Sequence, residues 1–367
     1  MSPVRVVLAG GGTAGHTSPL IATAKALQDL AEVDITCVGT PKGLETRVIP
    51  AAGLDLVLIP PVPLPRRPTP ELLAVPARLV RAVREAGAIL RQHSAQVAVG
   101  FGGYVSLPVY LAARLAKVPL VLHEGNAVPG LANRIAARFT RHVATTFPDT
   151  RLPHAVHLGL PVRSGIASLD RAARRPAART AFGLPADGRV LLVSGGSQGA
   201  RSLNQATLDA ADRLLAGGIS VLHVLGPANL TDQTVARADG ATGAVYVPVG
   251  YVDEMGDAYA AADLMLGRAG AGTVMETAMT GLPTIFVPLP HGNGEQARNA
   301  TFLIEGGAGM LVADADLDAD RLFTEVIGLL DNPERLAAMS AACRRLVPAD
   351  ASAALARLVL DVAQQRG

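Results

Sequence analysis

The chain has 367 residues, and at about 100–200 residues per domain that length suggests two domains. Hydrophobic residues make up 49%, charged residues 17% and aromatic residues 3%, so the cores are built from Ala, Val and Leu, which suits helices packed on parallel sheets. A net charge of +2 excludes a chain-wide nucleic-acid surface, and Cys37 and Cys343 read as free buried thiols of a reducing compartment, with the cytoplasm as default.

Val4 to Leu8 reads as a strand running straight into glycines, without the ordered regions of a signal peptide. Apolar stretches elsewhere are broken short of the ~18 residues that a spanning helix needs. The stretch "VLAGGGTAGH" contains Gly10-x-Gly12-x-x-Gly15, the spacing of a dinucleotide-binding loop, and leads into a helix from Pro19 to Leu30. A nicotinamide enzyme places an acid at the end of the next strand. Here that strand, "VDITCVG", ends without one, and Asp34 comes too early, which argues against a dehydrogenase.

From Pro61 to Ser94 there are six Arg (66, 67, 78, 81, 84, 91) against Glu71 and Glu85. A helix over Glu71 to Gln92 sets Leu72, Leu79, Val83 and Leu90 on one face and Arg78, Arg81 and Arg84 on the other. That pattern fits an ordinary solvated face or a surface that meets anionic lipid. Next come "QVAVGFGG", a helix near Pro108 to Ala116, and "VPLVLHEG". Gly102-Gly103 suits a tight turn as well as a functional loop.

After "HVATTFPDT", "VHLGLPVRSG" and the Pro- and Arg-rich segment Arg171 to Pro185, the pattern restarts with "RVLLVSGGSQGARSLN". Gly11-Gly12-Thr13-Ala14-Gly15-His16 aligns with Gly195-Gly196-Ser197-Gln198-Gly199-Ala200, an internal repeat. The expectation is an α/β fold of two Rossmann-like domains facing each other across a ligand-holding cleft. Strand-like runs "ISVLHVLG", "AVYVPVGYV", "ADLMLG" and "LPTIFVPLP" continue the second domain. A helix from Pro333 to Leu346, a break at Pro348 and a last helix from Ala351 to Gln365 send the chain back to the first domain. The expected domains are residues 1–160 with 347–367, and residues 161–346.

A helix opening near Thr273 offers backbone N–H groups and a positive dipole end suited to a diphosphate. Glu276 then lies beside a bound nucleotide, or caps the helix as the partner of Thr273. His16, at a loop-to-helix junction, suits a general base or a donor to a nearby carbonyl. The repeat has Ala200 at the same place, which favours function for His16.

Gly11-Gly12-Thr13-Ala14-Gly15-His16-x-x-Pro19, Gly102-Gly103-Tyr104-Val105-Ser106, His123-Glu124-x-Asn126, Gly196-Ser197-x-Gly199-Ala200 and the block from Glu276 to Asn299 together resemble the MurG family. These are GT-B glycosyltransferases that move N-acetylglucosamine from UDP-N-acetylglucosamine to lipid-linked N-acetylmuramyl-pentapeptide in peptidoglycan synthesis. The resemblance runs through nearly the whole chain. It departs at Gly125, where the family usually has Gln, and at Glu295.

The resemblance implies that the second domain holds the donor. Tyr251, Val252 and Met255 would lie at the uracil, Glu276 at the ribose hydroxyls, and Gly196, Ser197 and Gly199 at the diphosphate, with Arg163, Arg268, Ala271, Gly272 and Thr273 nearby. Gln296 and Asn299 would read the sugar hydroxyls. Gly11 to Gly15 would cradle the lipid diphosphate, with Thr13 and Gly15 also reaching the donor. Gly12, Tyr104, Ser106 and Asn126 would line the acceptor side, and His16 would be the base, with Glu124 the next candidate. The implied partners are UDP-N-acetylglucosamine, undecaprenyl-pyrophosphoryl-N-acetylmuramyl-pentapeptide, an anionic membrane surface on its cytoplasmic side and other cell-wall synthesis proteins, with no nucleic acid. The run Asp314-x-Asp316-x-Asp318-x-Asp320 reads as a loop and helix start rather than a metal site, so no cofactor is expected. Rival readings are another GT-B enzyme with a different acceptor and a nucleotide-sugar-binding protein without turnover.

Overall fold

The computed structural model describes residues 2–62, 73–232, 234–291 and 294–365. The chain divides into two compact units, Met1–Arg163 with Asp350–Gly367, and Ser164–Ala349.

The first unit runs β1 (Val4–Ala9), α1 (Ala14–Leu30), β2 (Val33–Gly39), α2 (Glu45–Ala51), β3 (Asp55–Leu58), α3 (Val75–Gln92), β4 (Val97–Gly100), α4 (Ser106–Leu115), β5 (Leu120–Glu124), α5 (Leu131–Ala136), β6 (His142–Thr145) and β7 (Ala155–His157). Its strands pair in parallel in the order β3-β2-β1-β4-β5-β6-β7. The central strands are continuous apolar runs because helices cover both faces of the sheet.

The second unit runs α6 (Ser164–Ala167), α7 (Arg171–Ala181), β8 (Arg189–Ser194), α8 (Arg201–Ala216), β9 (Ile219–Val224), β10 (Arg237–Ala238), β11 (Val245–Val249), α9 (Met255–Ala261), β12 (Leu264–Gly267), α10 (Ala271–Thr280), β13 (Thr284–Phe286), α11 (Glu295–Glu305), β14 (Gly309–Leu311), α12 (Ala319–Leu330) and α13 (Pro333–Leu346). Its sheet order is β10-β11-β9-β8-β12-β13-β14, parallel except for the short edge strand β10. Leaving β10 aside, both sheets therefore carry the doubly wound order expected from the internal repeat. Each has its topological switch point between the first strand and the fourth, β1 beside β4 and β8 beside β12.

The last helix, α14 (Ala351–Gln364), returns to the first unit as expected. Its Leu355, Ala356, Val359 and Val362 are buried in one core with Leu20, Ala24 and Leu27 of α1 and with Val97 and Val99 of β4. Cys37 and Cys343 are free and buried, and burial raises their thiols to about 12 and about 11.

The Arg-rich segment is a helix, α7, despite Pro176 inside it. Asp170 caps it by accepting from the amides of Ala172 and Ala173. Arg171 and Arg179, two turns apart, lie on one face and are both spent internally. Arg171 donates to the carbonyls of Tyr259, Ala262 and Gly281, and Arg179, 2% exposed, donates to Asp263 and to the carbonyls of Ala261, Ala186 and Gly188. These cations staple the helix to its own domain.

On α3, Arg78, Arg81 and Arg84 are exposed, Leu79 and Val83 are half-buried and Leu90 is buried. The helix begins at Val75 rather than Glu71, and Arg66, Arg67, Glu71 and Leu72 lie outside the described residues. No helix among the described residues is long and apolar enough to cross a membrane.

Candidate active site

Each glycine loop follows the first strand of its sheet, and the repeat extends to backbone conformation. Gly12 has φ of +87° and its counterpart Gly196 has +88°. The loops then diverge. After the first, α1 begins at Ala14 with Thr13 as N-cap, so His16 is its third residue. After the second, Gly199 at φ +75° keeps the chain out of the helix until Arg201, so Ala200 is only the N-cap of α8. The equivalent sequence positions are thus not equivalent in structure.

In the second unit a cavity of 840 Å³ opens at the switch point, in the size range of ligand sites. It is lined by Gly195, Gly196 and Gly199, the first turn of α8, Arg268 and Gly270 after β12, Thr273 of α10, and Gln296 of α11. Elsewhere in this unit α7, α12 and α13 have N-termini capped by Asp170, Asp318 and Asn332. At the cavity α8 and α10 have no side-chain cap and no acid in the first turn. Helix starts left without acceptors favour an anionic ligand.

Arg268 is held in the wall, 2.5 Å from Asp314 and 3.0 Å from Ser202 Oγ, with two further contacts to the carbonyls of Val287 and Pro288. Burial would raise the Asp314 carboxyl, but hydrogen bonds from Ser202 and Arg268 outweigh it and hold the group below the ordinary Asp range. Asp314 to Asp316 is a short turn and Asp318 caps α12, so the acidic run is the loop and helix start expected.

The helix α10 starts at Ala271, with Gly270 as its N-cap, two residues before the expected Thr273. Thr273 is therefore inside the helix, and its capping pair with Glu276 does not form. Glu276 instead accepts from the Tyr259 hydroxyl at 2.7 Å. Gln296 Oε1 accepts from Leu289 N at 2.9 Å, which leaves its amide nitrogen to donate elsewhere. Asn299 is fully buried and donates to the Ala269 carbonyl, which helps fix the turn before α10.

Ser197 is exposed on its loop, and Ala271 and Gly272 form the first turn of α10. Tyr251 is 54% exposed beside buried Val252, and Met255 opens α9. Arg163 is exposed at the end of the first unit, outside the cavity lining. Tyr259 and Ser202 carried no sequence signal, because only tertiary packing brings them to Glu276 and Arg268.

In the first unit His16 Nδ1 lies 3.1 Å from the Gly11 carbonyl and 3.2 Å from Thr13 Oγ1. A carbonyl only accepts, so Nδ1 carries the proton and Nε2 is the basic nitrogen. Burial lowers the affinity of the ring for a second proton below its ordinary value, against smaller opposing effects from Gly11 and Glu45. The neutral ring is thus the form present near pH 7.

The Gly102-Gly103 loop makes room for this ring. Both residues have positive φ, +86° and +83°, and a Cβ at Gly103 would stand 2.8 Å from the Gly11 carbonyl and 3.3 Å from His16 Nδ1. A network fixes the loop. Gly102 N donates to Tyr110 Oη, which donates to Asn133 Oδ1, while Asn133 Nδ2 donates to Glu124.

Three of the expected site residues have polar groups engaged within the fold. Glu124 is buried and accepts from Asn126 N, Gly130 N and Asn133 Nδ2, so its oxygens organise a loop and do not stand open as a base. Ser106 is fully buried, bonded to the carbonyls of Ala9 and Gly102. Gly12 N donates to the Glu45 carboxylate, so the first glycine loop does not present that N–H to a lipid diphosphate. Tyr104 is 55% exposed, and Asn126 and the loop around Gly15 are partly open. Gly125 is buried, with its Cβ position 3.7 Å from the Gly15 carbonyl.

Two doubly wound parallel sheets, each with a glycine loop at its switch point, are the architecture of the GT-B glycosyltransferases. Residues 6–145 match the glycosyltransferase family 28 N-terminal domain and residues 190–355 its C-terminal domain. A protein of Cutibacterium acnes named UDP-N-acetylglucosamine--N-acetylmuramyl-(pentapeptide) pyrophosphoryl-undecaprenol N-acetylglucosamine transferase is 59% identical, over 98% of each chain. One of the same name from Nocardioides sp. is 56% identical, again over 98% of each. The crystal structure of Acinetobacter baumannii MurG superposes with a TM-score of 0.77 at 28% identity, covering 98% of this chain and 100% of that one. The chain belongs to glycosyltransferase family 28 and, within it, to the MurG family.

Proposed function

We propose that the chain transfers N-acetylglucosamine from UDP-N-acetylglucosamine to the C4 hydroxyl of undecaprenyl-pyrophosphoryl-N-acetylmuramyl-pentapeptide, inverting the anomeric carbon. The family carries this reading, and the observation on the chain itself that supports it is the cavity at the uncapped starts of α8 and α10. The diphosphate lies against the loop Gly196 to Ala200 and the first turn of α8, near Thr273. Glu276 accepts from the ribose hydroxyls, the amide nitrogen of Gln296 reaches the sugar, and Val252 with Tyr251 and Met255 meets the uracil.

The acceptor oxygen attacks the anomeric carbon and its proton passes to His16 Nε2. The bond from carbon to the β-phosphate oxygen breaks, and its electron pair leaves with UDP. Negative charge grows on that diphosphate, where the helix starts stabilise it. Thr13, Tyr104 and Asn126 line the acceptor side.

The enzyme works as a peripheral protein on the cytoplasmic face of the membrane. The first turns of α3 and the residues before them expose Leu73 and Val80 beside Arg78, Arg81 and Arg84, apolar and cationic groups together, which suits anionic lipid.

The test is release of UDP from UDP-N-acetylglucosamine with the lipid-linked muramyl-pentapeptide, with UDP-glucose and UDP-N-acetylgalactosamine as controls. Turnover is expected with the first donor and only when the lipid acceptor is present. Equal turnover with a diacylglycerol acceptor, or UDP binding without turnover, would overturn the reading.

A further inference from the structure

The peptide unit joining Gly11 to Gly12 is held on both sides. Its N–H donates to Glu45 Oε2 at 2.8 Å, and its carbonyl accepts from His16 Nδ1 at 3.1 Å. Glu45 opens α2 and is 0% exposed. Its other oxygen accepts from Thr40 N at 2.9 Å and Thr40 Oγ1 at 2.8 Å. Three glycines make the space: a Cβ at Gly11, Gly39 or Gly43 would stand 2.5, 2.6 or 1.9 Å from Glu45 atoms. Burial would raise this carboxyl, but hydrogen bonds from Gly12, its own amide and Thr40 outweigh it and keep it below its ordinary value. Glu45 is thus a buried carboxylate at neutral pH. Its counterpart loop in the second unit has no such partner: Gly196 N donates to Ser194 Oγ.

We infer that Glu45 is a positioning residue for the transfer reaction, acting on His16 through the Gly11–Gly12 peptide. A peptide whose N–H is bonded to a carboxylate is polarised, and its carbonyl becomes the stronger acceptor. That carbonyl pins the Nδ1–H tautomer, aims Nε2 outward and stabilises the ring when Nε2 takes up the acceptor proton. The carboxylate of a Ser-His-Asp triad does the same by direct contact. Glu45 is the charge acting on the ring, while Thr13 and the Gly102-Gly103 loop that also meet it bring none. The inference rests on the assignment of His16 as base.

The experiment is ¹⁵N NMR of the full-length protein, following the His16 ring nitrogens and the Gly12 amide across pH. In the parent, His16 is expected as the Nδ1–H tautomer. The Gly12 amide proton should lie downfield and respond to the titration of both Glu45 and His16. Glu45→Gln should give mixed tautomers, a His16 titration moved to lower pH, and at least about a tenfold fall in kcat, part of the roughly 10²–10⁴-fold that a general base supplies. KM for UDP-N-acetylglucosamine should not change. An unaltered tautomer and titration in Glu45→Gln would overturn the inference. If that variant does not fold, the parent decides, since a Gly12 amide indifferent to His16 titration also overturns it. Coupling in the spectra combined with full kcat in His16→Ala removes the base assignment and leaves the coupling standing.

Discussion

The Tyr259 hydroxyl donates to Glu276 Oε2 at 2.7 Å from a ring that is 2% exposed. Tyr259 lies in α9 and Glu276 in α10, so packing of two helices on one sheet aims the carboxylate. If Glu276 holds the ribose, its charge-assisted bonds are worth about 1.5–3 kcal/mol, and Glu276→Ala should weaken UDP binding tenfold or more. Tyr259→Phe removes one bond worth about 1 kcal/mol, roughly fivefold in Kd. Calorimetric titration with UDP checks both. Unchanged affinity in Glu276→Ala would take that residue out of the donor site.

His16→Ala should lower kcat by about 10²–10⁴-fold while leaving UDP affinity alone. The pH dependence has a definite sign. With His16 as the base the neutral ring is the active form, and its protonation lies below the ordinary 6.5, so the parent should keep more than half of its activity at pH 6.5, with the midpoint of the acidic limb below that pH. Initial rates of UDP release across pH 5 to 8 measure the limb. A limb at or above the ordinary histidine value would contradict the burial of the ring.

Arg179 depends on Asp263, which it meets at 3.0 Å and which also accepts from Arg175 and from Val190 N. Asp263→Ala strands a cation that is 2% exposed, and a buried charge robbed of its partner costs about 3–5 kcal/mol. A large fall in Tm is expected, measured by thermal unfolding. A Tm within a degree or two of the parent would mean that the four carbonyl and carboxylate contacts of Arg179 are not acting as a unit.

Arg81 and Arg84 are exposed on α3, with Arg81 bonded to Glu85 at 2.9 Å. Each basic group near an anionic surface contributes about 1 kcal/mol. Arg81→Glu with Arg84→Glu should therefore reduce cosedimentation with vesicles of phosphatidylglycerol, with little effect on vesicles of neutral lipid. Equal sedimentation of variant and parent would place lipid contact on another face.

Much of the fold is legible in the sequence because its signals are local. Apolar strand runs ending in glycine, helical periods between them and the repeated glycine loop give two doubly wound sheets. The break at Pro348 foreshadows α14 returning to the first unit. Gly196, Gly199 and His16 stand out through the repeated glycine loop and Thr273 through its helix start, whereas Arg268 and the sugar-side place of Gln296 come only from the family resemblance.

Tertiary structure decided what the side chains at those positions do. Ser106, Glu124 and Asn299 match the family pattern, but buried polar groups must be satisfied, and backbone donors and carbonyls claim their hydrogen bonds. Sequence alone leaves Glu276 between a place beside a bound nucleotide and a cap with Thr273, and the cap falls away because the N-cap is Gly270 and Tyr259 from another helix bonds the carboxylate. Glu45 carried no sequence signal, since its partners Gly12 and Thr40 are ordinary backbone until β1, β2 and α2 pack together. Sequence spacing records which elements form. Which carboxylate meets which amide is settled only when those elements close on one another and shut water out.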